Sequence, residues 1–391
     1  MPSDNQQLEP SVALDTQFEF GEVTAAPRVV PPSPAPPLGP LTTFVGKWHG
    51  SGFNTIFRPD SPETPTPLPQ PILGSDNILE LNLTSEVLTF SESLGSVPNR
   101  GMVQADIFLN GVPYIQAIND ITTGKSTGIH FEPGLWVIVP PTTHPAEGQT
   151  LVRMASIPHG TTINAQGTSI AFDGAPKIDR VDITPFIQGE PANKVKFSSQ
   201  DAANGDTARL PQDLTPFINA GTITQQILDD PNTVLREAIG GQHIVQTTAI
   251  SIATAPALPL FGGGTDNIAF LWGNAAAVNS PHPTGQNAQT LQMTATFWIE
   301  QVQHTILVPP FKPGEPPLTL QPEDAVPGRP APVFVVRPPI PILEERLITV
   351  TSPQIQYSQK VELNFNGLTW PHVSVATLVP AAVLPVPPSV W

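Results

Sequence analysis

Fifty of the 391 residues are proline, and no other feature restricts the fold of this chain so strongly. A proline has no N–H and its ring fixes φ, so helix interiors and central strands exclude it. Prolines in such numbers require long extended connections, and they gather at 27–40, 59–71, 309–341 and 380–388. Those segments read as polyproline-like arms and straps: an N-terminal arm over 1–40, a loop over 309–341 and a C-terminal tail over 381–391. Strapping over a barrel or across a subunit boundary suits them better than a role as SH3-type ligands, because the Arg and Lys that accompany such ligands are sparse here. A homodimer joined through the straps is one open option.

Between the proline clusters the pattern is β. Leu79-Glu-Leu-Asn-Leu83 alternates at period two, and the even residues of 356–365 are all polar while Val361, Leu363 and Phe365 are apolar. Residues 291–300 place Leu291, Met293, Ala295, Phe297 and Ile299 on one side. Segments 127–139, 150–157 and 161–172 continue the series, and Asn110-Gly111 reads as a hairpin turn inside 103–121. Helical signal is confined to 222–239, opened by Asp230-Pro231 and closed by Gly240-Gly241. A short echo, Asp182-Ile-Thr-Pro-Phe-Ile187 and Asp213-Leu-Thr-Pro-Phe-Ile218, lies in the same region, and 173–285 reads as an insertion with a short helix. Many short strands with turns between them suit a sandwich or an up-and-down barrel.

Composition excludes several functions. With 17 Lys and Arg against 33 Asp and Glu, the formal net charge is −16 and no basic run exists, so nucleic acid is not an expected partner. The absence of cysteine removes disulfides, thiolate catalysis and Cys-ligated metals. Neither a basic n-region with an apolar stretch at the start nor an 18-residue apolar run is present, so the expectation is a cytoplasmic protein without a membrane span. No Gly-x-Ser-x-Gly elbow, phosphate loop or His-Glu-x-x-His motif is found.

Two marked motifs bracket the β region. Near its start stands Gly46-Lys-Trp48-His-Gly50-Ser-Gly52, where alternating glycines let a strand bend while Trp48 plugs a barrel end. Near its finish stands Trp370-Pro371-His372, followed by Val373, Ala376 and Leu378. Between them lie Gly111-Val-Pro113 and His130-Phe-Glu132-Pro-Gly134. This ordered set resembles the nitrobindin family of ferric haem-binding β-barrels, over roughly 41–172 and 345–380. The resemblance implies an all-β fold, a calycin-like up-and-down antiparallel barrel of about ten strands spanning 41–380; the chain departs from that family in its large insertion and long Pro-rich arms. It implies haem b with His372 as axial ligand to the iron, and Pro371, Trp48, Gly50 and Gly52 as cofactor-binding residues. The implied activity is binding of nitric oxide or isomerisation of peroxynitrite.

The residues themselves leave alternatives open. Pro371 limits the ways the His372 ring can swing, and an alternating strand puts Ser374, Ala376 and Leu378 on its side, leaving room for a flat ligand. His372 can equally cap a strand at the barrel rim. His130 and His159 are the candidate catalytic residues. His130 shares a strand face with Glu132, a pair suited to proton relay or, with a third ligand, to a metal. Both histidines also suit structural roles. The competing function is a haem-free, lipocalin-like carrier of an apolar small molecule or lipid in the barrel cavity.

Overall fold

Ten alternating runs become ten antiparallel strands, each paired with the next along the chain and the last paired with the first. The computed structural model describes residues 35–391 apart from Thr64, Pro158, 258–261, 274–286 and Pro327. The strands are β1 (Gly46–Pro59), β2 (Asn77–Phe90), β3 (Ile107–Asp120), β4 (Thr127–Val139), β5 (Thr150–Ile157), β6 (Thr161–Asp173), β7 (His243–Ala253), β8 (Gln289–Val308), β9 (Arg346–Phe365) and β10 (Leu368–Pro380). The result is a closed up-and-down barrel, as expected, and closure leaves its long strands no free edge. The arm expected over 1–40 lies, up to residue 34, outside the described residues.

One end of the barrel is sealed by a 3-10 turn, Gly39–Phe44, which inserts the fully buried Leu41 and Phe44. Phe44 packs against Phe90 at 4.6 Å and Trp136 at 5.6 Å between ring centroids, and its carbonyl accepts the Trp48 indole N–H at 2.7 Å. Trp48 therefore serves the plug. Gly50 and Gly52 stand where β1 crosses β10: a Cβ at either would lie 2.0 Å from the Thr377 or Val375 carbonyl oxygen. The seam that closes the barrel needs glycine at both.

Several segments depart from the sequence reading. Asn110-Gly111 is no turn; it lies within β3, where the Asn110 amide donates to the Pro36 carbonyl at 2.6 Å, and a Cβ on Gly111 would strike the Trp136 carbonyl. The stretch 173–285 is not one insertion. It contains barrel strand β7, whose Ile250 and Ile252 enter the core, so there are two excursions, 174–242 and 254–288. In β2 the alternation is inverted: Glu80 and Asn82 face the barrel cavity, while the fully buried Leu79 and Leu81 belong to a core shared with the first excursion. Leu291 is half exposed because a bulge between Thr290 and Gln292 shifts it out of step with Met293. Prolines 113, 133, 353 and 371 sit inside barrel strands. Pro371 falls in a gap: β1 pairs with β10 only from Val373 onward, and the short strand Phe186–Ile187 pairs with Leu368 and Thr369, so its missing N–H interrupts neither ladder.

The first excursion covers the outer side of β1 and β10. Its helices are α1 (Thr215–Ala220), α2 (Gln225–Asp229) and α3 (Thr233–Ile239), the last opening just after Asp230-Pro231 and ending before Gly240, as expected. Both copies of the echo begin with an Asp that accepts the Thr N–H two residues on, at 2.8 Å, but only the second continues as helix. Arg209 organises the excursion by donating to the backbone carbonyls of Ser199, Asp201, Asn204, Pro211 and Gln212. At the far side β8 and β9, 20 residues each, outrun the barrel. Their tips form a second core with Phe311, Phe334 and Val336, closed by a small sheet of Leu318–Leu320, Phe334–Val336 and Leu384–Pro385. The proline-rich loop and the C-terminal tail thus join in one cap on this hairpin.

Gly52→Ala is expected to lower stability by about 1–3 kcal/mol, the range for forcing atoms into a filled space. Gly148→Ala, where an added Cβ meets nothing within 4 Å, serves as control. Urea unfolding of the two variants checks this; equal midpoints would contradict the seam.

Candidate functional site

At mid-height the barrel interior changes from apolar to polar. Arg153, on β5, is 2% exposed and is held on three sides. It donates through Nε to the Tyr114 hydroxyl at 2.8 Å, through Nη1 to Gln359 at 2.7 Å and through Nη2 to Glu132 at 2.6 Å. Its guanidinium also lies over the Tyr114, Trp136 and Phe297 rings at 5.3–5.9 Å. Tyr114 donates to the same Glu132 oxygen. Gly134 lets the Tyr114 ring cross β4, since a Cβ there would sit 2.4 Å from it. Burial alone would raise the Glu132 carboxyl, but Arg153, His130 and Tyr114 together hold it down to about 2. The ion pair is therefore fully charged, hydrogen-bonded and dry.

A second carboxylate lies nearby in the opposite state. Burial pushes Glu86 up to about 7, although Tyr357 and Gln116 each donate to it at 2.7 Å. Gln116, Tyr357 and Gln359 form the floor of a cavity of about 380 Å³ at the end of the barrel opposite the plug. Its walls mix aliphatic side chains, Ile56, Ile118, Ile157, Val361, Leu363 and, from α4 (Ala269–Trp272), Leu271, with the polar Glu80, Thr161 and Thr290. One polar rung is hydrogen-bonded across three strands. Ser374 donates to Asn54 at 2.7 Å and Asn54 to Asn82 at 3.0 Å, following the β10–β1–β2 register.

Three histidines line this cavity, His372, His130 and His159. His372 comes from β10 beside Val361, two residues before Ser374 on the same face. Its Nδ1 is sealed from solvent with no hydrogen-bond partner. Burial first, then the neighbouring His130 and His159, lower its pKa to about 4, with the Thr55 backbone acting weakly the other way. The ring is a neutral base at pH 7. His130 Nε2 lies 3.2 Å from Glu132 Oε2, and because that carboxyl is ionised, Nε2 carries the proton and donates. His159, in the turn between β5 and β6, brings its ring centroid to 5.5 Å from His130. Burial lowers its pKa, and His130 adds to that. Among the described residues no group of three or more His, Asp or Glu is arranged to hold a bare metal ion.

The structure thus brings together His372, His130 and His159 and places Trp48 and Gly50 elsewhere, in the plug and seam. Gly52 borders a different cavity outside the barrel, and Pro371 is buried against Glu362 of β9. The girdle of Arg153, Tyr114, Glu86, Gln116 and Tyr357 was not anticipated. A lone Arg at the centre of an apolar strand, Leu151-Val-Arg153-Met, was the available signal.

No family model matches the chain, and no curated protein matches it. The crystal structure of Rv2717c from M. tuberculosis aligns with 89% of this chain and 99% of that one, at 10% sequence identity and a TM-score of 0.34, too slight a likeness to bear on function. Among the described residues no helix is long and apolar enough to cross a membrane.

Two stability measurements follow from the girdle. Glu132→Gln leaves Arg153 charged and buried without its partner, and a loss of about 3–5 kcal/mol is expected in urea unfolding. Glu86 keeps its proton in the folded chain up to about pH 7 but only to 4.5 unfolded, so its own contribution to stability falls as pH rises from about 4.5 to 7, against the rising contribution of His372, whose pKa is lowered to about 4. Glu86→Gln removes that share; a Glu86→Gln protein whose stability keeps the wild-type pH dependence over this window would refute the assignment.

Proposed function

We propose that the cavity beyond the girdle binds a small, largely apolar molecule, and that haem is its occupant, with His372 as the residue that would hold the iron. The observation carrying this reading is His372 itself, a neutral imidazole on the wall of a cavity where Ile, Val and Leu side chains stand among amides, hydroxyls and two further histidines. An axial ligand must offer an unprotonated nitrogen from a ring that packing holds still, and burial provides both conditions. The ordered Gly-x-Trp-x-Gly and Pro-His motifs, which resemble those of nitrobindin, support the same reading.

When bound, ferric haem supplies a Lewis acid for nitric oxide or peroxynitrite. This chain's own residues exclude water and orient polar groups around such a small ligand. The Glu132 carboxylate accepts from His130 Nε2 and so holds that ring on the cavity wall. His159 stands next to it, and both remain candidates for handling a proton at the bound oxide.

One observation favours a second reading, a haem-free carrier of an apolar small molecule. Among the described residues no Lys or Arg lines the cavity to meet the two carboxylates of haem. Haemin titration separates the two. Wild-type protein is expected to develop a Soret band that His372→Ala loses, while His159→Ala keeps it. A Soret band unchanged in His372→Ala, or absent from the wild type, rejects haem; a lipid-like mass carried by the untreated protein in native mass spectrometry then supports the carrier.

A further inference from the structure

Outside the barrel wall, β1, β2, β8, β9, β10, the first excursion and residues 322–326 and 329–332 line a separate cavity of about 520 Å³. Its lining includes His304 from β8, Ser352 from β9 and Asp324 from the proline-rich segment. His304 Nε2 lies 2.9 Å from Ser352 Oγ. Its Nδ1 faces Asp324 Oδ1 at 3.6 Å, beyond hydrogen-bond length, and has no hydrogen-bond partner although the residue is only 7% exposed. The Phe334 ring stands edge-on to the imidazole at 6.0 Å and limits its swing. Asp324 is carried on a tethered segment: the Glu323 N–H donates to the Thr305 carbonyl at 2.9 Å, and Arg329 donates to the Glu237 carbonyl at 3.2 Å. Burial lowers the His304 pKa, with Asp324 opposing, so the ring is a free base at neutral pH.

A buried imidazole that only needed satisfying would bond at both nitrogens. Here one nitrogen engages a hydroxyl and the other is left open towards a carboxylate, in a space able to admit a small molecule. That is the order nucleophile, base, orienting group, which defines such a site by geometry whatever the fold. The gap at Asp324 is of the kind that closes when a site is occupied. Arg329 also lines the cavity and is the cation available to a developing oxyanion, while Phe53, Leu83 and Val379 offer an apolar wall for an acyl chain.

We propose that Ser352 and His304 are a nucleophile and general base, positioned by Asp324, that hydrolyse small carboxylic esters in this cavity. Ser352 Oγ bonds to the ester carbonyl carbon as its proton passes to His304 Nε2. The carbon–alkoxy bond then breaks, and the departing alcohol takes that proton. Water attacks the acyl-serine, gives its proton to Nε2, and the carboxylic acid leaves as that proton returns to Ser352. Ser352 is 2% exposed, so only molecules entering the cavity reach it. The site shares no residue with the histidine cavity in the barrel.

The test treats full-length protein with a fluorophosphonate probe and, separately, with p-nitrophenyl acetate. One covalent adduct is expected on the peptide bearing Ser352, with steady release of p-nitrophenolate. Both are lost in Ser352→Ala and fall by about 100-fold or more in His304→Gln. Asp324→Asn slows turnover while labelling of Ser352 persists at a lower rate. Wild-type protein that takes up no probe, or takes it up at another residue, overturns the proposal, and this result does not depend on how any variant folds.

Discussion

The Arg153–Glu132 pair decides what the inside of this barrel is. A charged guanidinium at mid-height must be met by hydrogen bonds from every side, and Tyr114, Gln359 and Glu132 are recruited for that purpose. Those partners need their own room, which Gly134 provides. Below the pair, aromatic rings fill the space to the plug. Above it the side chains are amides, a phenol and aliphatics that do not close over, and a cavity remains. The second oxygen of Glu132 then passes the constraint to His130 on the cavity wall. A filled half and a hollow half therefore arise from one buried charge.

The architecture was legible because period two survives in most strands. The inward residues of β9, Val361 and Leu363, and of β8, Met293 to Ile299, lie where alternation puts them. Trp48 plugs an end because a glycine-flanked Trp at the first strand has little else it can do. Failures came where alternation carries chemistry of the opposite kind. Glu80 and Asn82 look like a wet face and in fact line the cavity, since the helical excursion supplies cover for Leu79 and Leu81 from outside. β7 was hidden because its hydrophobic side is short and its neighbours are loops. Asn110-Gly111 has turn chemistry, yet its side chain is spent on the backbone of residues 36 and 111.

The site was legible only in part. His372, His130 and His159 could be named from local context, Pro-His and His-x-Glu. Their convergence comes from pairings between residues hundreds of positions apart, which no local pattern records. The same holds for Tyr357 on Glu86 and for His304 on Ser352, separated by 271 and 48 residues. Buried polar partners of this kind leave one visible trace in a sequence, a charged or amide residue at an inward position, and Arg153 was that trace.

The seam between β1 and β10 has a consequence for how the chain is made. Gly50 and Gly52 wait with an open strand edge until residues 373–380 have left the ribosome, because no earlier segment completes the ring. For most of synthesis the nascent polypeptide exposes a sticky border to other chains, and the ring shuts only on the longest-range contact it contains.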